Sequence, residues 1–265
     1  MDRKKFLFVS LDGLIADIAW QVVKEGHEVK LFVEAQSERE IADGFVPKTE
    51  DWIREVPWTG EMGTTMFWSE PTRLFNATLK KMETRLREER YVGYIDVNCM
   101  VNSNGIYPLE FTSRFGYPTI SIQQEGMLTP IGEFFYRLAE GSTTTFKARS
   151  GFQVGVRIMV PPFPYTDPET FAKTSKDAVI IFKKPSRDGV HIEDVKQINN
   201  EWVVTGTSGV VLIVVGTGTT MKAAQRQAYN RIDNIMIPNM YYRKDIGDRW
   251  FEDFDRLHTW GYLRP

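Results

Sequence analysis

Residues 93–118, GYIDVNCMVNSNGIYPLEFTSRFGYP, carry the side chains best suited to chemistry. Two apolar runs, residues 94–101 and 106–111, flank the sequence Asn102-Ser103-Asn104-Gly105. Asn-Gly between two β-rich runs indicates a hairpin turn, because both residues tolerate positive φ. The pattern therefore predicts an antiparallel pair of strands with its turn at residues 103–105.

Folding the chain at this turn brings Asp96 toward Glu110. Two carboxylates at adjacent strand positions repel each other unless one is protonated, water reaches both, or a cation lies between them. The side-chain period of a strand places Glu110, Thr112 and Arg114 on one face. Such oxygen donors suit Mg²⁺, and an adjacent arginine suits phosphate. The alternative is a solvated surface hairpin in which Glu110 pairs with Arg114.

This pattern resembles the ATP-grasp superfamily, in which an Asp on one strand and Glu-x-Asn-x-Arg on the next hold two Mg²⁺ ions and the transferred phosphate. The phrase LEFTSRFGYP is similar to that of the glycinamide ribonucleotide synthetases, also called phosphoribosylamine–glycine ligases. The resemblance implies that Asp96, Glu110 and Thr112 bind the metal and that Arg114 is catalytic. Thr112 replaces the family's Asn, and Tyr117 stands where Asp is usual.

Two further segments resemble the same family. The loop Thr59-Gly60-Glu61-Met62-Gly63-Thr64 is similar to a Thr-Gly-Gly-Met-Gly loop that borders the substrate and phosphate pocket, which implies substrate-binding roles for Thr59, Gly60 and Gly63. Residues 241–247, YYRKDIG, resemble the end of the family's C-terminal domain. The implied function is the ATP-dependent joining of glycine to phosphoribosylamine in purine biosynthesis. Its cofactor would be Mg²⁺ or Mn²⁺, with ATP as a substrate.

Hydrophobic periodicity predicts a mixed α/β and α+β fold in three parts. Residues 1–55 would form a truncated N-terminal βαβ unit, residues 56–150 a partial ATP-grasp domain, and residues 151–265 a ligase-like C-terminal sheet-and-helix domain. The predicted helices cover 14–25, 35–41, 74–89, 131–140 and 221–236. The predicted strands, beyond the hairpin, cover 6–10, 29–33, 152–160, 179–182, 202–205 and 210–215.

Composition excludes several classes of protein. A hydrophobic content of 42% indicates a folded globular chain, and a net charge of −2 does not favour nucleic acid as a partner. The single cysteine, Cys99, permits no internal disulfide, and no apolar run is long enough for a membrane span. We therefore expect a cytoplasmic protein that acts on small molecules, without a membrane or nucleic-acid partner.

The expected ATP clamp is not visible in the sequence. Residues 1–92 contain no glycine-rich loop with a lysine, so the chain resembles a ligase that lacks an internal block. This favours a second hypothesis, a non-catalytic ATP-grasp remnant that binds a small ligand or a partner. Two weaker hypotheses are a phosphate role for the loop 183–189 and a nucleotide-binding oxidoreductase, based on Gly216-Thr217-Gly218.

Overall fold

The computed structural model describes residues 3, 5–10, 16–50, 62–116, 118–141, 147–165 and 167–264. The chain forms two compact units, Met1–Thr59 and Gly60–Pro265. Both units contain helices and strands, which confirms the predicted mixed fold class. The division into three parts at residues 55 and 150 stays a prediction. Among the described residues, no helix is long and apolar enough to cross a membrane.

The first unit is a parallel pair of strands connected by a helix. β1 (Lys5–Ser10) pairs in parallel with β2 (Glu28–Val33), and α1 (Ala16–Lys24) lies between them in sequence. Gly26, with φ of 85°, ends this helix as predicted. A 3-10 turn at Gln36–Glu38 replaces the helix predicted for residues 35–41. The core of this unit comprises Ala16, Ala19, Val29, Leu31, Val33 and Val46.

The described part of the second unit contains two four-stranded sheets and a separate hairpin. Its strands are β3 (Gly63–Phe67), β4 (Asp96–Asn102), β5 (Gly105–Thr112), β6 (Phe152–Met159), β7 (Val179–Phe182), β8 (Val190–Ile192), β9 (Val195–Ile198), β10 (Glu201–Val204), β11 (Val210–Gly218) and β12 (Ile235–Met236). One sheet has the order β3-β6-β11-β8 and the other β12-β7-β10-β9, with antiparallel pairing throughout. The predicted strands are confirmed, whereas β3, β8, β9 and β12 were not predicted.

The helices of this unit agree less well with the predictions. They are α2 (Arg73–Ala77), α3 (Glu83–Glu88), α4 (Thr119–Gly126), α5 (Ile131–Ala139), α6 (Pro168–Thr174), α7 (Met221–Ile232) and α8 (Trp250–Thr259). The helix predicted for 74–89 is broken at Thr78, whose φ and ψ of −122° and −96° lie outside the helical region. The Thr78 hydroxyl donates to the carbonyl of Leu74 at 2.7 Å, a local bond that competes with continuation of the helix.

The main core lies between α7 and the inner face of β6 and β11. Val154, Val156 and Ile158 alternate along β6 and are fully buried in it. Gly216 of β11 allows the helix to approach closely, because a Cβ at this position would collide with the backbone of Ala224 and Ala228. This glycine therefore sets the distance between the helix and the sheet.

The substitution Gly216→Ala should lower the free energy of unfolding by about 1–3 kcal/mol, because the α7 backbone must shift to admit the new methyl group. Urea denaturation measures this change. As a control, Gly132→Ala in α5 adds a methyl group with no atom within 4 Å. The control should stabilise the helix by up to about 1 kcal/mol. An unchanged stability in Gly216→Ala would contradict this account of the packing.

Candidate metal site

The predicted hairpin is present, with β4 and β5 joined at residues 103 and 104. From the turn outward, Val101 pairs with Ile106, Met100 with Tyr107 and Cys99 with Pro108. Beyond Cys99 the register shifts by one residue. The next pairs are Asn98 with Glu110, Val97 with Phe111 and Asp96 with Thr112. Leu109 is thus an extra residue in β5, as in a β-bulge.

This bulge decides which carboxylates meet. If the register near the turn continued unchanged, Glu110 would pair with Val97 and project from the face opposite Asp96. The extra residue moves Glu110 to the face that Asp96 and Thr112 share. The preceding Pro108 has no N–H for the ladder, and prolines within strands occur at bulges or edges. Pro108 is therefore the sequence signal that could have predicted the shift.

Asp96 is half-buried, and its Oδ1 atom has no hydrogen-bond partner among the described residues. Its Oδ2 atom lies close to Gly116, at 3.8 Å from the position of a Cβ on that glycine. Burial, with a smaller contribution from the Asp96 carboxylate, raises the pKa of the neighbouring Tyr94. A buried carboxylate oxygen without a partner is costly, so this atom suits a cation or an ordered water molecule.

Glu110 is exposed and directly opposite Asn98, which the sequence analysis did not identify. The Asn98 side-chain amide donates to the Glu110 carboxylate at 3.0 Å. Asp96 and Glu110 are therefore diagonal neighbours on one face of the hairpin. Asn98 lies two positions after Asp96 on the same strand, so strand alternation would have placed its side-chain oxygen on this face as well.

Arg114 lies outside the strand that was expected to position it. β5 ends at Thr112, so strand alternation does not place the guanidinium beside the carboxylates. Arg114 is exposed, and its Nη1 atom donates to the carbonyl of Phe115 at 3.0 Å. Its long side chain is thus held at the edge of the hairpin by its own backbone.

The three expected substrate-binding residues are placed unequally. Thr59 and Gly60 lie outside the described residues. Gly63 begins β3 instead of lying in a loop, and it pairs with Val156. A Cβ on Gly63 would come within 2.5 Å of the Gly155 carbonyl oxygen and 2.8 Å of the Ile246 side chain. Close packing therefore accounts for this glycine without a ligand.

Helix α4 follows the hairpin directly and connects it to the sheet. The carbonyl of Gly116 accepts a bond from the amide of Ile120 at 2.8 Å, and Gln123 donates to the Tyr94 hydroxyl at 3.2 Å. Ile122 is fully buried and occupies the space above Gly155 of β6. The apolar periodicity of this short segment is weak, which explains why the helix was not predicted.

The donor atoms on the hairpin fit a hard divalent cation. Carboxylate and hydroxyl oxygens are the ligands that Mg²⁺ prefers, and Mg²⁺ usually keeps several waters beside one or two carboxylates. No group of three or more His, Cys, Asp or Glu side chains in the described ranges is arranged to hold a metal ion. A site on this hairpin would therefore use Asp96 and Glu110, with Thr112 and water completing the shell.

Neither of the two weaker hypotheses receives structural support. Gly216 and Gly218 lie within β11, which is antiparallel to its neighbours, whereas a dinucleotide fold has its glycine loop after a strand of a parallel sheet. In the loop 183–189, Lys183 donates to the carbonyl of Asp233 at 2.5 Å. The guanidinium of Arg187 stacks over Trp202 at 4.8 Å. Two cations of this loop thus have structural partners.

Comparison with known proteins identifies relatives of the expected kind. Residues 168–249 match the family described as phosphoribosylglycinamide synthetase, C domain. The chain is 28% identical over 164 residues to a phosphoribosylamine–glycine ligase of Mycobacterium leprae. This alignment covers 61% of this chain and 36% of that protein. The chain is 25% identical over 248 residues to the Leifsonia xyli ligase, which covers 90% of this chain and 56% of that protein.

A solved structure shares the fold. The crystal structure of phosphoribosylamine–glycine ligase from Thermotoga maritima superposes with a TM-score of 0.52 and 24% identity, covering 72% of this chain and 47% of that one. The chain therefore spans about half the length, or less, of the relatives it matches. The resemblance found in the sequence is confirmed: residues 168–249 match the C-domain family, and the chain is similar to the phosphoribosylamine–glycine ligases over part of their length.

Proposed function

We propose that this chain takes part in the ATP-dependent joining of glycine to phosphoribosylamine, with a Mg²⁺ or Mn²⁺ ion at the β4–β5 hairpin. The observation that carries this proposal is the common face of Asp96, Glu110 and Thr112, on which the buried Asp96 Oδ1 has no hydrogen-bond partner within the described ranges. The reaction is that of its relatives, the phosphoribosylamine–glycine ligases. Purine biosynthesis in the cytoplasm is the setting that this reaction suggests.

Each residue has a distinct part in this proposal. Asp96 and Glu110 hold the cation with their carboxylates, and Thr112 contributes its hydroxyl oxygen. When bound, the ion neutralises charge on the phosphoryl group that ATP donates to the glycine carboxylate. In this proposal the Arg114 guanidinium exchanges its hydrogen bond to the Phe115 carbonyl for a contact that stabilises the same charge. The family resemblance is what assigns substrate-binding roles to Thr59, Gly60 and Gly63; the first two lie outside the described residues, and Gly63 is packed within β3.

A non-catalytic remnant is the second candidate, and the absence of a glycine-rich loop with a lysine from residues 1–92 of the sequence favours it. The described hairpin forms a sheet of its own with two strands, so no further strand of the described chain supports it. Positioning of reactants supplies about 7–11 kcal/mol of a barrier reduction. A chain without a complete ATP clamp would keep metal or ligand binding and lose most turnover.

Replacing Glu110 by Gln should weaken Mn²⁺ binding about tenfold or more, because the site loses one of two carboxylates that hold a hard cation. Isothermal titration with MnCl₂ measures the affinity, and circular dichroism checks the fold. Glu133→Gln is the matched control, since Glu133 is a partly exposed carboxylate paired with Arg137 on α5. Equal Mn²⁺ affinity in the wild type and in Glu110→Gln would show that the hairpin carboxylates are structural.

The second experiment measures ADP release with ATP, glycine, phosphoribosylamine and Mg²⁺ supplied together. We expect turnover far below the ordinary enzyme range of about 1–10³ s⁻¹. The residual glycine-dependent release should disappear in Arg114→Ala. Turnover within the ordinary range would show that residues described above as structural complete the ATP clamp. Mn²⁺ binding without any glycine-dependent release would favour the non-catalytic remnant.

A further inference from the structure

Helix α4 carries an ion-pair cluster at the end that points away from the hairpin. The Glu125 carboxylate lies 3.3 Å from Nε2 of His191 on β8 and 3.9 Å from Nη1 of Arg231 on α7. The three side chains are only 26%, 19% and 24% exposed. Arg231 also donates to the carbonyl of Val215 in β11. One carboxylate thus joins α4 to two other elements of the unit.

We propose that Glu125 is a positioning residue for the hairpin site. It fixes α4 on the sheet, and α4 in turn holds the loop 113–116 and Asp96. The proposal rests on the proposed function only where metal affinity is the quantity measured. The hold on the loop itself is a property of the fold and can be tested separately.

The negative charge of Glu125 is unfavourable at its position in the helix. The last turn of a helix is the negative end of its dipole, so a carboxylate there is disfavoured. Partial burial adds a desolvation cost. Both costs are offset only because His191 and Arg231 reach the carboxylate from neighbouring elements. A carboxylate at this position therefore contributes stability only while α4 stays in place on the sheet.

The surrounding packing leaves α4 little room to move. A Cβ on Gly126 would collide with the Trp68 indole nitrogen, and it would come within 2.8 Å of the Gln153 side chain. Ile122 is held above Gly155 in the same manner. Gly126 and Ile122 thus hold α4 against β6, and the Glu125 contacts attach it in addition to β8 and α7.

Two hydrogen bonds of α4 transmit this position to the hairpin. The Gly116 carbonyl accepts the first hydrogen bond of the helix, from Ile120, and Gly116 lies beside the Asp96 carboxylate. Gln123 binds the hydroxyl of Tyr94, two residues before Asp96. A rotation of α4 about its packed end would therefore displace both the loop that carries Arg114 and the strand that carries Asp96.

The pKa of Glu125 is lowered, chiefly by the His191 side chain and further by the charges of Arg231 and Arg149, while burial opposes the shift. A lowered carboxyl pKa stabilises the folded state above the ordinary value of 4.5. The contribution disappears as the pH falls through the lowered pKa. The contribution of the Glu125 carboxylate to the hold on α4 should therefore be present at pH 7 and decrease as the pH falls through its lowered pKa.

The test compares full-length wild type with Glu125→Ala and the milder Glu125→Gln. Hydrogen exchange of the segment 113–124 reports on the loop and helix, and MnCl₂ titration reports on the site. We expect at least about fivefold faster exchange and about fivefold weaker Mn²⁺ affinity in Glu125→Ala. The exchange difference between wild type and Glu125→Gln should shrink as the pH falls through the Glu125 pKa.

The control is Glu193→Gln, which removes a carboxylate of similar burial whose partner is Arg157 of β6, at 2.7 Å. It should lower overall stability without a selective effect on residues 113–124. Unchanged exchange in both Glu125 variants, or the same exchange pattern in Glu193→Gln, would overturn the proposal. If the wild type binds no Mn²⁺, the proposed metal function fails. The positioning role is then judged only from the difference in hydrogen exchange between the wild type and the Glu125 variants.

Discussion

The second unit depends above all on the packing of one isoleucine over one glycine. Ile122 of α4 is fully buried in the space that the missing side chain of Gly155 leaves above β6. Gly155 pairs with Thr64 on one side and Val215 on the other. The same residue thus marks the middle of the sheet and the point where α4 docks. Because interiors are close-packed, any side chain at this position would have to move the helix.

The two faces of this sheet are covered by different kinds of contact. On one face, α7 approaches β11 through Gly216 and excludes water from a wholly apolar core. On the other face, Ile122 of α4 packs against Ile213 and Val215. The polar side chains of Gln153, Arg157 and His191 lie on this same face. Arg157 is paired with Glu193, so its burial is compensated.

The hairpin illustrates how a local irregularity creates a candidate site. A regular ladder would have separated the two carboxylates onto opposite faces, and the extra residue at Leu109 brings them together. Bulges are frequent beside functional sites because they re-aim side chains without changing the fold. Here the bulge follows Pro108, which cannot donate to the ladder in any case. The candidate site therefore lies beside the position where the hydrogen-bond ladder between β4 and β5 is interrupted.

The sequence by itself determined much of the local structure. Its apolar alternation predicted the hairpin, the strands of residues 152–160 and 210–215 and the parallel start of the chain, because burial on one or both faces requires that pattern. The resemblance in residues 110–118 and 241–247 predicted the family that the comparisons support. These features were visible because each depends on neighbours in sequence.

Only the tertiary structure decided the rest. The short helix α4 has a weak local signal, since it is held by contacts with residues that are distant in sequence. The register shift beside Pro108 and the break at Thr78 have local causes, but apolar periodicity does not show them. The Glu125 cluster joins residues that lie 66 and 106 positions apart in the chain, as the numbers of His191 and Arg231 show. Hydrophobic periodicity does not predict contacts between such distant residues. They form because Gly155 in β6 allows α4 to pack on the sheet, which brings Glu125 close to its two partners.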